Sequence, residues 1–154
     1  MAKQSAGLLI YRHGVLGLEV FLVHPGGPYW RNKDDGAWSI PKGEVNADEE
    51  LFAAAQLDCF EEIGLQFEGP FAPLEPIRQR GGKTVFAWAV AADFDATQVT
   101  SNNFTMEWPP RSGKQQAFPE VDQAQWFDFE TAMRKINSGQ QPLLKQLAGF
   151  MTAC

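Results

Sequence analysis

From Asp48 to Ile63 the chain runs through strong helix formers without a glycine or proline, and Gly64 then stands where a helix needs a left-handed terminating residue. This helix constrains the fold more than any other stretch. Offsets of three and four positions return to the same helical face, so Asp58, Glu61 and Glu62 share one sector, with Ala54 and Ala55 one turn earlier on the same side. Phe52, Cys59 and Ile63 fall opposite and form an apolar stripe that can pack on a sheet. Like charges at this spacing cost a bare helix about 0.2–0.5 kcal/mol per pair, so the acidic patch is locally unfavourable unless a cation occupies it. Hard oxygen ligands of this kind suit Mg²⁺, which keeps several waters and bridges to phosphate. A solvated helix face is the other reading of the same residues.

Around this helix the pattern alternates between strands and turns. Segments 5–12 and 18–24 are apolar and β-rich, separated by a glycine-containing turn. The stretch from Pro25 to Trp38 is dense in Gly, Pro and Asp and reads as a loop. Two further strands are expected over 71–79 and 83–93, flanking the Arg80-Gly81-Gly82 turn. Polar and without clear period, 94–120 reads as a long loop, and loops of that length in compact domains are usually functional or mobile. A last strand is expected over 121–128, and one or two helices over 129–150, where Gly139 and Pro142 interrupt a helical spacing.

Thirteen Lys and Arg against nineteen Asp and Glu leave a net charge of −6, which disfavours binding to a nucleic-acid polymer. The acidic excess either keeps the protein soluble or gathers carboxylates around divalent cations. Two cysteines, Cys59 and Cys154, make a disulfide framework improbable and offer no zinc site. No run approaches the roughly 18 apolar residues of a membrane span, and no cleavage signal follows the start, so a cytoplasmic location without membrane attachment is expected. With no internal repeat and no low-complexity divider, residues 1–154 are expected to form one domain.

The segment PKGEVNADEELFAAAQLDCFEEIGL resembles the signature of the Nudix hydrolase family: Gly43, Glu49, Glu61, Glu62, Gly64 and Leu65 match in register, and Trp38, Pro41, Lys42 and Glu44 resemble its usual approach. The resemblance implies an α/β/α sandwich with a mixed sheet. It implies that Asp58, Glu61 and Glu62, with the carbonyl of Gly43, bind Mg²⁺, with Mn²⁺ able to substitute. The implied chemistry is attack of water on phosphorus in a small nucleotide, a nucleoside triphosphate or a dinucleoside polyphosphate, with Glu61 and Glu62 in the catalytic set. Many members use a further Glu from a distant loop, and Glu120 is the candidate here; an exposed loop carboxylate is its other reading.

Two positions depart from the signature. Leu57 replaces an Arg and Asp58 replaces a Glu. Asp is one methylene shorter, and the missing Arg leaves Glu49 without its usual partner; a misplacement near 1 Å can cost about 100-fold in rate. The alternative is therefore a non-catalytic nucleotide- or protein-binding module, its activity eroded at Leu57 and Asp58. A third reading is an acidic domain without metal. Lys42 and Arg111 are candidate phosphate contacts, with Arg78, Arg80 and Lys83 as weaker ones. Trp108, with Tyr29, Trp30 and Phe104, can stack on a base, although a loop aromatic more often packs. His13 and His24 read as structural and Cys59 as an inert core thiol. A homodimer is left open.

Overall fold

The computed structural model describes residues 3–15, 17–79 and 81–152. Arg80 and Cys154 lie outside the described residues. Strands β1 (Gln4–Gly14) and β2 (Gly17–Pro25) form an antiparallel hairpin, and β1 lies parallel to β6 (Thr84–Ala91). The sheet runs β4-β6-β1-β2-β9, where β4 is Phe71–Pro73 and β9 is Val121–Asp128; β3 (Lys42–Val45) pairs with β1 and β5 (Ile77–Arg78) with β6. One parallel pair among antiparallel ones makes the sheet mixed.

Alternation along β1 sends Leu8 and Ile10 to one face and Leu9 to the other. On the first face they meet Ala55, Cys59 and Ile63 of α1 (Leu51–Ile63). On the second, Leu9, Val20 and Leu22 meet Ala132 of α2 (Phe129–Lys135) and Leu143, Leu144 and Leu147 of α3 (Gln141–Thr152). The result is a three-layer α/β/α sandwich, as the resemblance implies. No helix of the described residues is long and apolar enough to cross a membrane.

Several boundaries differ from the sequence expectation. Helix α1 begins at Leu51, because the Glu50 carboxylate accepts the Ala53 N–H at 2.6 Å and caps it. Upstream, Glu49 accepts the Asn46 N–H at 2.8 Å in a turn. The strand expected over 71–79 splits into β4 and β5, since Pro73 and Pro76 have no N–H to offer a ladder. The expected loop 94–120 instead contains a hairpin off the main sheet, β7 (Asn103–Glu107) with β8 (Gln115–Pro119). Its tip is held by the Glu107 carboxylate, which accepts the N–H groups of Arg111 and Gly113. That closure depends on one side chain folding back on backbone, which no periodicity announces. The C-terminal stretch is two helices, with a 3-10 turn at Ser138–Gln140 between them.

Two contacts decide where β3 and the preceding loop lie. A side chain on Gly7 would strike the Pro41 carbonyl and come within 2.6 Å of the Lys42 Cβ, so β3 reaches β1 only because position 7 is bare. Buried His24 places Nδ1 2.7 Å from Asp122 Oδ1 and Nε2 2.6 Å from the Lys33 carbonyl, tying the 26–41 loop to β9. Asp34 reinforces the tie by accepting from Trp38 Nε1 at 2.8 Å and pairing with Lys135 at 2.6 Å. Replacing Gly7→Val is expected to lower unfolding free energy by about 1–3 kcal/mol through overpacking at this seam. Urea denaturation checks it, and an unchanged midpoint would show that β3 can shift without cost.

Candidate active site

A cavity of about 790 Å³ opens where β3, the end of α1, the β5–β6 turn, the loop before β9 and the α2–α3 connection meet. Among its lining residues are Lys42, Glu62, Lys83 and Glu120, two amines and two carboxylates in one concave space. Lys42 is carried by β3 and donates its backbone N–H to Glu62 Oε2 at 3.2 Å. Burial, and then the adjacent Lys83 charge, lower the Lys42 amine to about 8 against the pull of Glu62 and Glu44. Glu62 moves the other way. Its burial outweighs the help of Lys42, and with Glu120 and Asp58 adding repulsion the carboxyl is pushed up to about 7.

Asp58 sits behind this pair, one turn back on α1 and against Gly43. A Cβ on Gly43 would lie 2.6 Å from the Asp58 carboxylate, so the bare backbone of β3 lets the acid approach. Asp58 Oδ2 is buried and has no hydrogen-bond partner, a costly state for a carboxylate oxygen. Desolvation raises Asp58 to about 6, with Glu61 and Glu49 contributing.

The shared acidic face predicted for the helix is therefore divided. Glu62 is largely enclosed, Asp58 is half-buried against Gly43, and Glu61 is exposed. Ala54 and Ala55 do not leave open room beside the acids; both are buried against the sheet with Cys59 and Ile63. The reason is that β3 reaches under the helix, so the acids mark the border of the packed face rather than its opposite side. Phe52 packs edge-on to Phe71 at 5.0 Å. Burial pushes the Cys59 thiol up to about 12, which leaves it inert at neutral pH.

Among the described residues no three His, Cys, Asp or Glu side chains are gathered tightly enough to hold a metal ion by themselves. The residues present nevertheless fit a cation that keeps part of its water. The orphaned Asp58 oxygen beside the Gly43 backbone, with Glu62 and Glu61 on the same helix, is a hard-oxygen donor set of that kind.

Of the aromatic candidates, Trp30 lines the cavity and carries the Lys33 ammonium 5.2 Å from its ring centre. Tyr29 meets Trp108 edge to face at 5.4 Å, and Phe104 covers Gly27, so these three brace the hairpin against the loop. Arg111 is exposed at the hairpin tip with φ 62°, and neither it nor Trp108 belongs to the cavity lining. Arg78 is exposed at the end of β5, outside that lining. Sequence reasoning missed the neutral polar part of the lining, Ser39, Gln79, Asn137, Ser138 and Gln140. Neutral amides and hydroxyls scattered over 100 positions carry no signal until the fold assembles them.

The sequence matches the model of the NUDIX domain over residues 1–147. The chain belongs to the NUDIX family. In fold this NUDIX domain is similar to an Ap4A hydrolase from C. elegans solved as a binary complex, at 22% identity and TM-score 0.66, covering 97% of this chain and 99% of that one. It is similar also to the NUDIX domain of Shewanella oneidensis NrtR complexed with ADP ribose, at 13% identity and TM-score 0.67 over 98% and 89% of the two chains. The E. coli ORF135 protein aligns at 22% identity and TM-score 0.63 over 99% and 92%. No curated protein matches by sequence. At these identities the likeness is one of fold.

The raised carboxyls of the NUDIX domain have a consequence for stability. Glu62 sits at about 7 against an ordinary 4.5, so the folded protein binds a proton that the unfolded chain has released. This contribution is fully present below pH 4.5 and is lost as pH rises through 7. Metal-free Glu62→Gln is therefore expected to show a flatter fall in melting temperature between those limits than the parent. Parallel thermal melts across that range, with identical slopes as the contrary result, decide it.

Proposed function

We propose that this NUDIX domain hydrolyses a pyrophosphate bond in a small nucleotide, a nucleoside triphosphate or a dinucleoside polyphosphate, with Mg²⁺ as cofactor and Mn²⁺ as substitute. The observation that carries this reading is the convergence of Lys42, Lys83, Glu62 and Glu120 on one cavity; the unpartnered Asp58 oxygen lies outside its lining, against Gly43. Paired amines suit a phosphate chain, and neighbouring carboxylates suit the cations that accompany one.

Asp58, Glu61, Glu62 and the Gly43 carbonyl would hold the metal, which when bound neutralises phosphate charge and makes bound water more acidic. Lys42 and Lys83 bind and orient non-bridging phosphate oxygens, and the burial of Lys42 strengthens its pull on an anion. Glu120, exposed at the opening, accepts the proton of the attacking water on a carboxylate oxygen. Arg111, on the β7–β8 arm, is available to the far end of a longer phosphate chain, and Trp108 braces that arm through Tyr29.

The second reading, a nucleotide-binding module without turnover, draws on the absence of a closed three-ligand cluster among the described residues. It draws also on Leu57, which is 51% exposed and makes no tie to Glu49. Incubation with a nucleotide panel in Mg²⁺, reading phosphate and pyrophosphate release, tests both. The hydrolase reading expects turnover that Glu62→Gln lowers by about 100-fold or more with folding retained. Turnover untouched by that substitution would sink the carboxylate mechanism. No turnover together with a metal-dependent nucleotide shift in melting temperature would favour the binding module, in which case Leu57→Arg is expected to restore activity.

A further inference from the structure

The cavity lining also contains a carboxamide pair whose orientation is set by the backbone. Asn137 Oδ1 accepts the Gly139 N–H at 2.8 Å, which fixes which end of that amide is oxygen. The same Oδ1 accepts Gln79 Nε2 at 3.3 Å, which fixes the Gln79 amide in turn. Gly139 permits this contact: a Cβ there would press within 3.1 Å of Gln79 Nε2 and 3.2 Å of Asn137 Oδ1. Asn137 is itself anchored, since its backbone N–H donates to the Trp38 carbonyl at 2.7 Å. The other end of each amide, the Gln79 Oε1 acceptor and the Asn137 Nδ2 donors, makes no hydrogen bond among the described residues.

Gln79 is also tied to the phosphate end. Its N–H donates to the Lys83 carbonyl at 2.8 Å and its carbonyl accepts the Gly82 N–H at 3.1 Å, so Gln79 and Lys83 are the two ends of one tight turn. Both line the cavity. A ligand that meets Lys83 with an anion therefore has Gln79 and Asn137 within the same cavity.

We propose that Gln79 and Asn137 determine specificity by reading the edge of a nucleobase, Gln79 Oε1 accepting from the ring's donor and Asn137 Nδ2 donating to the adjacent acceptor. Every common base carries such a donor beside an acceptor on its pairing edge, whereas an inorganic polyphosphate offers acceptors alone. The pair thus selects nucleotides over inorganic polyphosphates. This rests on the hydrolase reading above, and the test separates the two.

The natural nucleoside triphosphate hydrolysed best is compared with its counterpart methylated at the pairing-edge donor, namely N6,N6-dimethyl-ATP, N1-methyl-GTP, N3-methyl-UTP or N4,N4-dimethyl-CTP. The parent protein is expected to favour the natural form by roughly tenfold or more in kcat/KM. Gln79→Met keeps length and loses the acceptor; it is expected to erase that preference by raising KM for the natural form alone, with kcat little changed. Asn137→Ser keeps an oxygen for the Gly139 N–H and loses the donor; it is expected to raise KM for both forms. Gln79→Met that folds normally and retains the preference overturns the assignment. Should no nucleotide be turned over, the hydrolase reading fails, and titration calorimetry with the same pairs in Mg²⁺ decides the base reading. Equal affinity for natural and methylated forms, or no binding of either, overturns it.

Discussion

The seam between β1 and β3 is where the architecture turns into a site. β1 is the central strand, its flanks shared by β2, β3 and β6, and its first half accepts β3 at Gly7, where any side chain would meet the backbone of Pro41 and Lys42. Bringing β3 this close has two results. It turns the Lys42 side chain into the cavity, and it lays Gly43 under α1 so that Asp58 can press against bare backbone. Two glycines with no room for a Cβ thus set the separation of an amine and two acids.

Assembling these groups opposes folding in isolation. Lys42 falls and Glu62 and Asp58 rise because burial removes water from each faster than their partners replace it. The core on both sheet faces offsets this, through Leu8, Ile10 and Phe21 on the α1 side and Leu9, Leu22 and Leu144 on the other. Charges held partly dehydrated interact more strongly with a counter-ion than charges in bulk water do. The loop between β2 and β3 is held by similar means at its outer side, where buried His24 and Asp34 tie it to β9 and α2.

Legibility in the sequence followed the range of the interactions concerned. Helix α1 was readable because its propensity, its apolar stripe at Cys59 and Ile63 and its Gly64 terminus are local, and the acids at 58, 61 and 62 were visible in it. The hairpin β7–β8 was not, because its closure depends on Glu107 folding back onto Arg111 and Gly113 across a Pro-rich tip. The split of the acidic face was hidden for a related reason: helical spacing says which residues share a sector but not which strand passes beneath it. Lys42 was legible beside Gly43, whereas Gln79 and Asn137, 58 positions apart, became neighbours only through the packing of the β5–β6 turn on the α2–α3 connection.

The sequence by itself determined the family, the helix that carries the acids and the alternation that sends apolar residues to two faces of a sheet, since each is written within a turn of helix or a few residues of strand. Only the tertiary structure decided which acids are dehydrated, that Lys42 and Lys83 stand together, and that the Gln79 and Asn137 amides line the same cavity. Burial and convergence are properties of chain segments distant in sequence, and no local pattern encodes the distance between them.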